Sequence, residues 1–116
     1  MLRHRALIAH LHIATFETDA AGMFTFVSRA WCEITRMMPE QAYGEGWISS
    51  IHILDRDRVV LEWKHALEDK REFYSEYRVI LYGRDESVAV TTRAFPARIR
   101  ADGPLTGMVG MTTKSN

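Results

Sequence analysis

The chain has a single cysteine, Cys32. One thiol closes no internal disulfide and builds no zinc site by itself, so a reducing, cytoplasmic setting is expected. Net charge is also missing, because fifteen Lys and Arg balance fifteen Asp and Glu. A neutral chain has no overall field to hold nucleic acid or an anionic membrane. The local basic groups, Arg3 and Arg5 early and Arg93, Arg98 and Arg100 late, have no interleaved aromatics to make a base-stacking platform and read as solvated faces. No apolar run approaches the ~18–20 residues that cross a bilayer. The basic start Met1-Leu2-Arg3-His4-Arg5 is followed by an apolar stretch broken by His10 and His12, which is no secretory signal. Internal repeats and low-complexity tracts are absent, and seven glycines and three prolines make no collagen-like pattern.

What remains is 116 residues, 47% hydrophobic and 26% charged, enough for one domain with a real core. Leu2, Ala6, Ala9 and Ile13 share one helical face, which predicts a helix over residues 2–12 ahead of a body of residues 13–116. Ile13 to Thr18 and Met23 to Val27 read as strands around the turn Asp19-Ala20-Ala21-Gly22, a hairpin. Ser28 is placed to cap a helix through Thr35, and Pro39 to open a short one ending at Gly44. The stretch Gly46 to His52 is either one helical turn or irregular. Asp55 is the expected cap of the longest helix, about Arg56 to Asp69, whose Val59, Val60, Trp63, Ala66 and Leu67 gather into a stripe about 100° wide. Strands follow at Glu72 to Tyr82, Val88 to Arg100 and Leu105 to Thr113.

This order is α+β, an antiparallel sheet with helices crowded on one face. The helices between the second and third strands must cross the sheet, and a cavity beneath them is the natural ligand site. Its expected lining is Phe26, Ile34, Met38, Trp47, Ile51, Trp63, Tyr77 and Val79. An empty or very small cavity is the alternative, since large side chains fill space.

Nothing argues for catalysis. The serines lack an elbow motif, and Gly44-x-Gly46 runs into Trp47 instead of a phosphate loop. Asp55 and Asp57 are accounted for by a helix N-terminus. A small α+β enzyme with a cone-shaped cavity would need a buried carboxylate or tyrosine in it, and strand alternation turns Glu17 and Glu76 away from Phe16 and Tyr77. His10-x-His12 alone makes no zinc site, so no metal is expected.

Taken together, these pieces resemble a PAS domain. Phe16-Glu17-Thr18-Asp19-Ala20-Ala21-Gly22 matches the family's first strand and its Asp-x-x-Gly turn. Ser28-Arg29-Ala30-Trp31 stands where Asn-x-Ala-Trp is usual. Trp47, Ile51, His52, Asp55 and Arg56 echo a Trp…Ile-His-Pro-Asp-Asp-Arg stretch. Glu76-Tyr77-Arg78, Arg93-Ala94-Phe95-Pro96, Asp102-Gly103 and Gly107-Met108-Val109-Gly110 match the last three strands. The resemblance implies a five-stranded antiparallel sheet in the order 2-1-5-4-3. It also implies a sensory module of a signalling protein, such as a two-component system, that binds a small apolar ligand or a protein partner. Such a module relays to an output domain of kinase or cyclase type, in cis or in trans. The alternative is a ligand-free PAS domain acting only in dimerisation or protein contact.

No cofactor is expected. His65 falls on the wheel beside Leu61 and Glu68, away from the Val59/Trp63/Leu67 stripe, so it is no inward haem ligand. Cys32 sits in the first helix after the hairpin, outside the Asn-Cys-Arg motif of flavin-binding relatives, and reads as a small hydrophobe. The family departures are Ser28 for Asn and Ile53-Leu54 for Pro-Asp. Pro96 would fall within a central strand, where a bulge or a carbonyl-only position is expected. Finally, Leu7, Ile8 and Leu11 form a second apolar stripe on the N-terminal helix, which predicts a homodimer through it.

Overall fold

A computed structural model of the chain describes residues 13–81, 85–98 and 100–115. The expected helix over residues 2–12, with Leu7, Ile8 and Leu11, lies outside them. The elements run β1 (Thr15–Thr18), β2 (Phe24–Val27), α1 (Arg29–Thr35), α2 (Pro39–Ala42), a 3-10 turn (Gly46–Ser50), α3 (Ile53–Asp69), β3 (Phe73–Ile80), β4 (Ser87–Arg98) and β5 (Leu105–Lys114).

Local chemistry places most of these boundaries. Between β1 and β2, one carboxylate oxygen of Asp19 accepts the N–H groups of Ala21 and Met23, each at 3.0 Å. Gly22 completes the turn at φ +84°, and a Cβ there would press on Leu67 and on the Trp63 indole, so the turn lies directly against α3. Ser28 Oγ accepts the Trp31 N–H at 3.3 Å and caps α1. The start of α3 differs from expectation. It begins three residues earlier, and the cap is His52, whose Nδ1 accepts the Leu54 N–H at 3.1 Å. Asp55 is drawn instead into an ion pair with Arg78 on β3.

The strands form one antiparallel sheet in the order β2-β1-β5-β4-β3. Its inner face meets the helices. Phe16, Phe24, Val27, Phe73, Val79, Val90, Ala94 and Met108 from the strands are buried together with Trp31, Trp47, Val59, Trp63 and Ala66. Gly110 faces this core opposite Phe16, and a methyl group there would collide with the Phe16 ring.

Two irregularities matter. In the β1–β2 pair, Phe16 lies opposite Val27, Glu17 opposite Phe26, and Thr18 opposite Phe24, which leaves Thr25 without a partner. This bulge breaks the period of two, so Phe24 and Val27 point inward while Phe26 turns to the outer face. At the other edge, β3 pairs with β4 only as far as Ala94, so Pro96 has a strand neighbour in β5 alone. Its missing N–H therefore costs no inner ladder bond, and the register shifts just beyond it, between Ala97 and Arg98.

Candidate functional site

The space enclosed between helices and sheet is nearly filled. Phe16 from β1, Phe24 from β2 and Trp47 from the 3-10 turn form one continuous stack, with centroids 4.6 and 4.8 Å apart and interplanar angles of 11° and 12°. Trp63 from α3 sets its edge against all three rings, at 6.2, 6.4 and 5.6 Å. Phe73 closes on Trp63 at 5.1 Å and 87°. Offset and edge contacts of this kind add about 0.5–1.5 kcal/mol each beyond area burial.

What is left is a cavity of about 10 Å³. A buried water needs roughly 10–15 Å³ on this measure, so the cavity has the size of one water at most. With Trp47 in place it leaves no room for an organic molecule.

The polar part of the lining is satisfied from within. Tyr77 Oη lies 2.8 Å from Thr92 Oγ1, which lies 2.9 Å from Thr112 Oγ1, a chain of hydroxyls running across β3, β4 and β5. Burial pushes the Tyr77 phenol above its usual pKa, so it stays neutral. Thr35 Oγ1 donates to the Trp31 carbonyl and accepts the Met37 N–H, while Ser50 Oγ donates to the Trp47 carbonyl. Among the described residues no buried side-chain nitrogen or oxygen lacks a partner. No orphan group asks for a ligand.

Both ends of the segment carrying Trp47 are fastened. Before it, Phe24 and Gly44 exchange backbone hydrogen bonds of 3.0 and 2.9 Å. After it, the His52 N–H donates to the Arg78 carbonyl at 2.8 Å, and Arg56 Nη2 donates to the Ile51 carbonyl at 3.0 Å. Asp55 and Arg78 make a fork, Nη2 to Oδ1 at 2.8 Å and Nε to Oδ2 at 3.0 Å, and Oδ2 also accepts the Arg78 N–H at 2.9 Å. These bonds hold the Asp55 carboxyl well below its ordinary pKa.

The sign of the resulting pH dependence is clear. A folded-state pKa below the unfolded value of about 3.9 gives stability that is complete above pH ~5 and is lost as the pH falls towards the folded pKa. Asp55→Asn should therefore flatten the acid limb of stability. Urea melts between pH 7 and pH 3 test this, and equal acid slopes for the two proteins would assign the limb to other carboxylates.

Of the residues expected at the site, Trp47, Trp63, Tyr77 and Val79 line the cavity. Ile51 is fully buried and bridges to Val79 but is off the lining. Three others are elsewhere. Phe26 is turned outward by the bulge, Ile34 borders a surface groove between α1 and the end of β5, and Met38 is 61% exposed while its neighbour Met37 is buried. Phe16, Phe24, Trp31, Thr35, Ser50, Phe73, Thr92 and Thr112 complete the lining and were not expected there. Thr92 and Thr112 were within reach of the sequence, since they share strand parity with the apolar Val90, Ala94, Met108 and Gly110.

His65 is exposed. Cys32 is half-buried, and burial, then Glu40 and Glu33, raise its pKa, so it is no activated thiolate. Among the described residues no cluster of three His, Cys, Asp or Glu groups is placed to hold a metal. No described helix is long and apolar enough to cross a membrane.

Hairpin and three-stranded meander joined in one antiparallel sheet, with the crossing helices packed on its inner face around an aromatic core, define a two-layered α+β fold. The PAS fold family matches over residues 24–112, and the chain belongs to it. The uncharacterized protein y4lL of Sinorhizobium fredii is 28% identical over 109 residues, which are 94% of this chain and 13% of that protein. Among solved structures, a PAS domain from Colwellia psychrerythraea superposes with a TM-score of 0.75 at 18% identity, over 98% of this chain and 96% of that one. The N-terminal domain of a diguanylate cyclase with PAS/PAC sensor from Marinobacter aquaeolei gives 0.76 at 14%, over 87% and 93%. A LOV protein from Rhodobacter sphaeroides gives 0.78 at 16%, over 97% and 65%. At these identities the likeness to the solved structures is one of fold.

Proposed function

We propose that this chain is a PAS signal-transduction domain that works with its core closed, as a ligand-free dimerisation and protein-contact module. The observation that carries this reading is the cavity of about 10 Å³ under a three-ring stack. The outer face of the sheet supports it. Phe95 lies opposite Val109, Arg93 opposite Met111, and Tyr74 opposite Arg93, whose guanidinium sits 4.8 Å from the Tyr74 ring centroid. Phe95, Tyr74, Met111 and Val109 are 37–50% exposed, an apolar band across three strands. In this reading the N-terminal segment pairs two copies through Leu7, Ile8 and Leu11. The β-sheet then passes their relative state to an output module of kinase or cyclase type in the cytoplasm. The function is non-enzymatic and needs no cofactor.

Native mass spectrometry of the purified full chain tests the closed core. The protein is expected to be colourless and to carry no stoichiometric small molecule, and a retained organic ligand after gentle desalting would overturn the reading. Light scattering tests the pairing. Leu7→Glu with Leu11→Glu should lower the mass of the full chain by one copy, and an unchanged mass would remove the N-terminal contact from the proposal.

A further inference from the structure

The outer side of α3 carries apolar residues that the fold leaves unused. Ile53 is 68% exposed, Leu54 77% and Leu61 54%. The core side of the helix is supplied by Val59, Trp63 and Ala66. Advancing ~100° per residue puts Leu54, Asp57, Leu61, Lys64 and Glu68 on one stripe at heptad spacing, flanked by Ile53, Val60 and Leu67. Val60 and Leu67 are half-buried, so the apolar surface runs from the stripe to the edge of the core. Glu68 continues the stripe but falls past the start of a reversed helix, so Asp57 and Lys64 are its paired charges; they have opposite sign, and neither side chain makes an ion pair or hydrogen bond among the described residues. Ile53 and Leu54 also stand where the family's usual residues are Pro and Asp, so this surface is more apolar than the fold requires.

We propose that the exposed face of α3 is a second self-association surface, on which the α3 of a second copy lies antiparallel about a two-fold axis near residue 59. The charge pattern picks out this occupant, because the stripe is complementary to itself when reversed. Leu61 then packs between Leu54 and Asp57 of the second copy, and Lys64 lays its stem on Leu54 and its ammonium beside Asp57 of that copy. Val60 meets its own equivalent near the axis, and Ile53 faces Leu67. The reversed register thus forms two symmetric Asp57–Lys64 pairs and leaves no like charges opposed within the stripe. A single helix pair buries less than the ~1,200 Å² of a standard interface, so this contact is weak and depends on concentration. Together with a separate contact at the N-terminus it gives species above the dimer, because a second two-fold contact joins dimers to one another.

Sedimentation equilibrium of the full chain, from tens of micromolar to near millimolar, tests the inference. The average mass of the wild type should rise with concentration, and Leu61→Glu, an exposed substitution that leaves the fold intact, should weaken that rise by roughly tenfold or more. Asp57→Lys and Lys64→Asp should each weaken it, and the double swap should restore it, which a merely structural role would not do. Leu7→Glu with Leu11→Glu should leave this concentration dependence in place, which separates it from the N-terminal contact. A wild-type curve that superposes on that of Leu61→Glu, or a double swap as weak as the single variants, would overturn the proposal.

Discussion

Replacing Trp63 with alanine is expected to cost about 3–5 kcal/mol of stability, the range for a large buried aromatic. Trp63 is 5% exposed and, among the described residues, is the one ring that touches both the three-ring stack and Phe73. Its removal deletes the edge contacts and leaves a void bounded by rigid rings that do not collapse into it. His65, two residues on, points to solvent, and His65→Ala should change stability by less than about 0.5 kcal/mol. Urea melts of the two variants decide the matter. Equal midpoints would place the buried face of α3 elsewhere.

The second large effect separates two phenylalanines in one short strand. Phe24→Ala should cost about 3–5 kcal/mol and Phe26→Ala less than about 1.5 kcal/mol. Phe24 is the middle ring of the stack, 4% exposed, with Phe16 on one side and Trp47 on the other. Phe26 is half-buried on the outer face, opposite Glu17. The bulge at Thr25 is the sole reason for the difference, because unbroken alternation would give both rings the same face. Denaturation midpoints that put Phe26→Ala at or beyond Phe24→Ala would show that the bulge is misplaced.

Much of this architecture was legible in short stretches of chain. Asp19 and Gly22 carry their own turn, Ser28 its own cap and Pro39 its own helix start, because each acts on amides within a few residues. The stripe through Val59, Trp63 and Ala66 announced the inward face of α3 for the same reason. The site was less legible. Trp47, Trp63, Tyr77 and Val79 were expected on the lining, but Phe26, Ile34 and Met38 were expected there as well. Met37 and Met38 are adjacent, and which of them enters the core depends on the left-handed Arg36 between α1 and α2, at φ +62°. At the start of α3, either His52 or Asp55 had the chemistry to cap, and the choice fell to His52 because Arg78, 23 residues further on, engages the Asp55 carboxylate.

By itself the sequence determined the element order, the α+β class, the turns and caps, and an aromatic supply large enough to fill a small core. Those properties follow from periodicity and from hydrogen bonds between near neighbours. Only the tertiary structure decided which face each end of β2 presents, where the carboxylate of Asp55 is used, and how much empty space remains. Those outcomes depend on groups far apart in the chain. Thr18 Oγ1 accepts the Met108 N–H across ninety positions, and Tyr77, Thr92 and Thr112 join hydroxyls across three strands. Cavity volume is the extreme case. It is a small difference between the space the backbone encloses and the sum of the side chains that enter it, so one ring turned inward, as Phe24 is, decides whether a PAS core is open or closed.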